Sequence, residues 1–196
     1  PSVATEAAPR LAASVATLGN GVMMARVLVL LAIVAPALLT TAGPPLAVAS
    51  LTSVLVAFGL GRRALRHADS EMPATPGNPL DLRFIAQIAL LLVSVVVLAR
   101  LASHVWGEQG LVGFAAIAGL VDVDAITLAA GRMVTNDTVP HATGVVAVLV
   151  AVGADTVSKG VLGGVIGRQG FAWPYGLASL AGLAAGTGTY AAMLWL

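Results

Sequence analysis

The chain has 196 residues, of which 58% are hydrophobic and only 10% are charged, and its mean hydropathy is +0.95. Soluble domains carry about 25% charged residues, so this composition excludes an ordinary soluble enzyme, a disordered chain and a nucleic-acid-binding protein. The lack of cysteine excludes disulfides, thiolate metal sites and cysteine nucleophiles. A polytopic all-α membrane protein is the class that remains.

Apolar segments separated by helix-breaking residues predict six transmembrane helices within a single membrane domain, residues 1–196. The first helix is expected to end near Pro36 and at the turn Thr40–Pro45. A polar, proline-containing loop is predicted over residues 62–81. The predicted spans are 11–38, 46–60, 82–103, 110–133, 139–166 and 173–196.

The arginines predict the orientation of these six spans. Six of them fall on the side of the N-terminus (Arg10, Arg62, Arg63, Arg66, Arg83 and Arg132), whereas Arg100 and Arg168 fall on the other side. Positive charge marks the cytoplasmic side. Both termini and the 62–81 loop are therefore predicted to be cytoplasmic, in a bacterial inner membrane.

A weak internal repeat is visible at a shift of 102 residues. The shift aligns Asn20 with Asp122 and Ser53 with Asp155. The two halves, 11–105 and 110–196, would each hold three spans. Because three is odd, the halves are expected to be inverted relative to each other, as in many transporters.

Five ionisable residues occur at predicted membrane depth: Arg26, Asp122, Asp124, Asp155 and Lys159. Each costs about 2.5–3.5 kcal/mol at the centre of a helix on insertion scales. They are therefore predicted to face the bundle interior, a cavity or one another, and intramembrane charges indicate a functional site by default.

Asp122 and Asp124 form the most informative pair. On a continuous helix, residues two apart point to nearly opposite faces, but an unwound segment would let both carboxylates converge on a cation such as Mg²⁺. A helix break with Asp124 as the N-cap is the structural alternative, and both interpretations need the break. The predicted ion or proton site comprises Asp122, Asp124, Asp155, Thr127 and Asn20.

Asp155 and Lys159 are four residues apart and share a helix face. They are interpreted either as a buried pair that neutralises its own insertion cost or as a coupling pair in which protons or a cation compete with Lys159. Arg26 is interpreted as a counter-charge for an aspartate, with anion binding and snorkelling as alternatives. Gly160 with Gly164, and Gly182 with Gly186, allow close helix contact inside the bundle or across a homodimer.

Four segments carry a resemblance to a known family: 77–82 (GNPLDL), 107–111 (GEQGL), 119–128 (GLVDVDAITL) and 155–159 (DTVSK). The chain resembles the C-terminal membrane region of long MgtC/SapB-type bacterial proteins, a region classed as a domain of unknown function. Asp155 departs from the asparagine expected before Thr156. The resemblance implies a link to magnesium homeostasis through a separate N-terminal MgtC-type domain, which is an expected partner.

The sequence therefore predicts a lipid-embedded transporter or channel for Mg²⁺ or another divalent cation, including proton-coupled transport. It predicts no cofactor and no catalytic activity, because no nucleophile–base constellation is visible. The alternative hypothesis is a membrane scaffold or regulatory module in which the buried charges form a static network.

Overall fold

The computed structural model describes residues 3–65, 82–166 and 169–195, and this part of the chain contains six α-helices and no strand. The predicted all-α class is confirmed. The helices are α1 (Val3–Val34), α2 (Pro36–Leu65), α3 (Leu82–Gly119), α4 (Val123–Thr135), α5 (His141–Ile166) and α6 (Gln169–Leu194).

Four helical segments in the described part are long and apolar enough to cross a membrane: Pro9–Val34, Pro36–Leu65, His141–Val165 and Gly170–Leu194. Each has 25 to 30 residues and so exceeds the hydrocarbon thickness of about 30 Å, which needs about 20 helical residues. The chain is thus a helical membrane protein.

The first helix ends where predicted, near Pro36, but the turn predicted after it is absent. The chain leaves the helix at Ala35, so the predicted turn at Thr40–Pro45 is wrong and these residues lie inside α2. Pro36 starts α2, a position where its missing N–H is not needed. Pro44 and Pro45 are tolerated because membrane helices accommodate interior prolines when neighbours pack against them. Here Gly186 of α6 packs directly against the backbone of Pro45.

Helix α3 folds back on itself at Gly107. The backbone there has φ 62° and ψ −148°, whereas both flanking segments are helical. Residues 82–106 are called α3a below and residues 108–119 are called α3b. A Cβ atom at Gly110 would collide with the carbonyl group of Ala102, a contact that a straight helix could not make across eight residues. The whole predicted span 82–103 lies in α3a, whose side chains are described from Leu90 on, except residues 91 and 92.

α3b and α4 form a hairpin that enters the bundle and returns to the same end. Glu108, at its base, contacts Thr143 near the start of α5, and Val134 lies against Gly144. Gly119, near its tip, lies against Ala151, in the middle of α5. The single crossing predicted for 110–133 is therefore wrong: α4 has only 13 residues, about 20 Å of helix, which is too short to span.

These contacts define two ends of the bundle. The near end is where α1 begins and Pro9 lies against Gly170 of α6. The far end is where Val34 accepts a hydrogen bond from Thr135 and His141 Nε2 lies 3.0 Å from the Ala37 carbonyl oxygen. Because α6 starts at the near end and runs beside α1, the start of α1 and the end of α6 lie at opposite ends.

The direction of the helices does not give the predicted inverted repeat. The 102-residue shift pairs α2 with α5, and an inverted repeat requires paired helices to run in opposite directions. Both helices instead run from the far end to the near end, since Ser50 bonds to Gly21 and Lys159 bonds to Met23 in the middle of α1. The hairpin is the cause of this shared direction. It enters the bundle and returns to the far end without crossing it, so α5 begins at the same end as α2.

Glycines bring the bundle helices together. A Cβ atom at Gly182 would lie 2.7 Å from Ser53 Oγ, and one at Gly186 would lie 3.1 Å from Ala49 Cβ. This pair therefore packs inside the bundle against α2. Gly160 and Gly164 have nothing within 4 Å of such an atom, so the homodimer predicted through the glycine-rich helices stays a prediction.

Candidate functional site

The tip of the hairpin is built by a helix end, a short turn and a capped helix start. α3 ends at Gly119 and α4 begins at Val123, with Asp122 rather than Asp124 as the N-cap. Asp122 is extended (φ −157°, ψ 114°), and its Oδ1 accepts a hydrogen bond from the Asp124 N–H at 3.0 Å. A Cβ atom at Gly119 would lie 2.5 Å from the Ala151 carbonyl oxygen, so a glycine is needed for the tip to rest on α5.

An ion pair joins the tip to α1. One carboxylate oxygen of Asp124, Oδ2, pairs with the guanidinium group of Arg26, whose side chain is 60% exposed. The other carboxylate oxygen, Oδ1, is buried and has no hydrogen-bond partner in the described part of the chain. Only one of the two carboxylate oxygens of Asp124 therefore has a partner among the described residues.

Thr127 lies one turn further along α4. It is 1% exposed, and its Oγ1 likewise has no hydrogen-bond partner among the described residues. Buried polar atoms in folded proteins are nearly always paired. Because residues three apart on a helix are neighbours, Asp124 and Thr127 place two unsatisfied oxygens on one face at the tip.

A second ion pair lies on α5. Lys159 Nζ is 2.7 Å from Asp155 Oδ2 and also reaches Met23 Sδ on α1 at 3.4 Å. Met23 is one turn before Arg26, so both pairs face the same stretch of α1. Asp155 and Asp122 are both close enough to Asp124 to repel its charge. The five charged residues that the sequence singles out therefore form one electrostatic group.

Asn20 is placed elsewhere. Its Nδ2 donates to the hydroxyl of Tyr175 on α6 at 3.1 Å, and it is buried. Sequence reasoning missed Tyr175, which looks like an interfacial aromatic near a span end, and Met23, which looks like an ordinary apolar residue. Neither contact leaves a spacing signal, because the partners of Asn20 and Met23 are 155 and 136 residues away in the chain.

The carboxylates do not form a metal cluster by themselves. Within residues that the structure describes, no group of three or more His, Cys, Asp or Glu side chains could hold a metal ion. Asp122 caps α4 and Asp124 pairs with Arg26, so the predicted metal ligands are already engaged with protein groups. With three carboxylates and two cationic side chains, the group carries a formal charge of −1.

The fold and the site define the class: a helical membrane protein with a polar, partly unsatisfied site at the tip of a hairpin that ends beside the middle of α5. The chain belongs to the family described as a domain of unknown function (DUF4010), whose model matches residues 2–167. The match includes the hairpin and both ion pairs and carries no link to MgtC/SapB-type proteins. No curated protein and no solved structure matches the chain.

Proposed function

We propose that this protein moves a small cation across the membrane, with the site at Asp124 and Thr127 as the binding point. The observation that carries the proposal is the pair of buried oxygens, Asp124 Oδ1 and Thr127 Oγ1, which have no partner in the described chain. A buried unsatisfied oxygen costs about 1–3 kcal/mol. An ion, a proton or a water molecule that pairs with these two oxygens, which belong to residues one turn apart on α4, would recover part of this cost.

The depth of the site supports transport. The tip lies beside Ala151, ten residues into α5, which corresponds to about 15 Å from the far end, half of the hydrocarbon thickness. Interrupted helices at this depth are typical of transporter binding sites, because non-helical backbone is tolerated in a membrane only where it is buried or lines a cavity.

The charge of the site favours a proton or a monovalent cation. Mg²⁺ prefers an octahedral shell of oxygens with retained water and one or two free carboxylates. Here Asp124 would first have to release Arg26. A proton or monovalent ion needs only the free oxygen of Asp124, and it neutralises the formal charge of −1. Mg²⁺, which the resemblance suggests, is therefore the second candidate substrate.

The path of the chain gives the proposed topology. Five helices cross the membrane in this topology: α1, α2, α3a, α5 and α6. The hairpin does not cross, and an odd number of crossings puts the two termini on opposite sides. This replaces the predicted placement of both termini in the cytoplasm, which rests on six crossings. Arg10, Arg62 and Arg63 lie at the near end, so we place that end in the cytoplasm, in line with the positive-inside rule.

Reconstitution tests the proposal. The purified chain is placed in liposomes, and uptake of protons, Na⁺, K⁺ and Mg²⁺ is measured for the wild type and for Asp124→Asn. We expect flux of a proton or monovalent cation that the variant loses. Folded protein that carries none of these ions would contradict the proposal and favour the static scaffold, in which both ion pairs are structural.

A further inference from the structure

We infer that the far end of α3a carries a binding site for a phosphate group, and that a phospholipid headgroup supplies it. Arg100, Ser103, His104 and Thr138 line a cavity of about 450 Å³. None of these residues belongs to the hairpin-tip site, so this inference stands independently of the proposed transport.

The four side chains converge from two parts of the fold. Arg100 and His104 are one turn apart on α3a and share a face, with Ser103 beside them. Thr138 comes from the connection between α4 and α5. Its backbone N–H donates to the Met133 carbonyl oxygen at 2.8 Å, which fixes this connection against the end of α4.

The cavity offers several hydrogen-bond donors and is lined by no carboxylate. Among the described residues, no carboxylate pairs with Arg100, and none of the four side chains has a hydrogen-bond partner. The acidic residues that adjoin these side chains in the sequence are not part of the cavity lining. Glu108 accepts a hydrogen bond from Thr143, and Asp137 lines a neighbouring cavity together with His141.

This set of groups suits a phosphate. A guanidinium group recognises phosphate oxygens by paired, charge-assisted hydrogen bonds, while two hydroxyls and an imidazole N–H supply further donors. A metal cation would need oxygen ligands of negative charge, and the cavity is lined by none.

The depth of the cavity favours a lipid as the source. α3a exposes Val97, Leu101 and Val105, so this helix presents apolar side chains to the membrane. Trp106, two residues beyond His104, is 70% exposed, and tryptophans concentrate at the level of the headgroups. The cavity therefore opens where the phosphates of phospholipids lie, although free phosphate shares the same chemistry.

Native mass spectrometry of the full chain in a neutral detergent tests the site. The ligands are phosphatidylglycerol, phosphatidylcholine, diacylglycerol with the same acyl chains and inorganic phosphate. We expect the wild type to bind both phospholipids about tenfold more tightly than diacylglycerol, the effect of one or two charge-assisted hydrogen bonds. The double variant Arg100→Gln/His104→Gln is expected to lose this difference.

Arg132→Gln is the matched control, because Arg132 is an exposed arginine near the same end but outside the cavity. It should bind like the wild type, and Arg100→Lys should retain part of the preference. Competition by inorganic phosphate, lost in the double variant, would support the site and assign it to free phosphate. Equal binding of phospholipid and diacylglycerol, an unaffected double variant that unfolds like the wild type, or an equal loss in Arg132→Gln would overturn the inference.

Discussion

Arg26 of α1 and Asp124 of α4 form an ion pair at the level where the hairpin ends, 98 positions apart in the chain and half-way through the bundle. The pair ties the hairpin tip to α1, a helix long and apolar enough to cross a membrane. Only one oxygen of Asp124 takes part, and the other has no partner in the described chain. One contact thus holds the tip while one carboxylate oxygen of Asp124 stays without a partner in the described chain.

Breaking this pair from one side is expected to destabilise the protein. Asp124→Asn leaves the guanidinium without its counter-charge, and we expect a loss of about 1–2 kcal/mol in the free energy of unfolding. Removing one partner of a deeply buried ion pair lowers the free energy of unfolding by about 3–5 kcal/mol. The loss is smaller here because the Arg26 side chain is exposed. Thermal unfolding in detergent or nanodiscs measures it.

The double variant Arg26→Gln/Asp124→Asn is the control for this prediction. It removes both charges, so it should be more stable than the sum of the two single changes by about 1 kcal/mol. Strict additivity would mean that the two residues do not interact in solution, and that the tip is held by other contacts.

The pair on α5 leads to a second prediction. Asp155→Asn leaves Lys159 without its carboxylate partner. Insertion of an isolated lysine at the centre of a membrane helix costs about 2.5–3.5 kcal/mol, so this variant should be poorly folded. Asp155→Asn/Lys159→Met removes the whole pair and should recover stability. If the double variant is stable and transports at the wild-type rate, the pair is only structural; if transport is lost while stability returns, the pair couples ion occupancy to helix movement.

Thr127 allows stability and function to be separated. Thr127→Val keeps the shape and removes a buried hydroxyl that has no described partner, so the variant should be as stable as the wild type or slightly more so. Transport should fall about tenfold, which corresponds to the loss of one ligand interaction. Unfolding and flux are measured on the same preparations.

Ser179→Ala is the matched control for Thr127→Val. Ser179 is also buried, and its hydroxyl has no hydrogen-bond partner among the described residues, but it lies on α6, which packs mainly against α1, α2 and α5 rather than the hairpin. We expect a similar effect on stability and none on transport. A loss of flux in both variants would show that removing any unpaired buried hydroxyl lowers transport. That result would contradict the assignment of the site to the hairpin tip.

The sequence predicts the helices and the charged group better than it predicts their arrangement. Apolar runs and residue spacing suffice to indicate six helices and the Asp155–Lys159 pair, which is present in the structure. They cannot show that 110–133 turns back at its middle, since a 24-residue apolar stretch has the length of a full span. The reversal depends on contacts with α5, as at Gly119 and Ala151.

Prolines mislead in the same way. Pro44 and Pro45 predict a turn from local rules, but in α2 they lie within a helix packed against α6. The actual break comes at Ala35, next to Pro36, as the other half of the prediction indicates. The local rule that proline ends a helix assumes that water can bond to the backbone carbonyl groups that the proline leaves free. No water is present inside a membrane, so the chain stays helical there.

Gly107 is expected to determine whether the hairpin forms. Its backbone conformation, φ 62° and ψ −148°, is available almost only to glycine, so Gly107→Ala should cost about 1–3 kcal/mol. Gly113→Ala is the matched control in α3b, where an added Cβ meets nothing within 4 Å. It should be neutral or stabilising by up to about 1 kcal/mol. Equal unfolding temperatures for the two variants would argue against a sharp turn at Gly107.

The number of crossings gives the sharpest test of the fold. The chain has no cysteine, so single cysteines can be introduced at exposed positions and labelled with a membrane-impermeant maleimide in sealed vesicles. With a re-entrant hairpin, Gln109→Cys, Asn136→Cys and Trp195→Cys lie at the far end and should be labelled from the same side. Leu65→Cys, at the near end, should be labelled from the opposite side.

Six crossings predict a different pattern for the same four variants. Gln109 and Asn136 would then flank a full span and be labelled from opposite sides, while Leu65, Asn136 and Trp195 would share a side. Labelling after detergent lysis controls for buried thiols, because every variant should then react. The two patterns differ at Asn136 and Trp195 relative to Gln109, so one set of vesicles of known orientation decides whether the site at Asp124 lies at the tip of a hairpin or within a crossing helix.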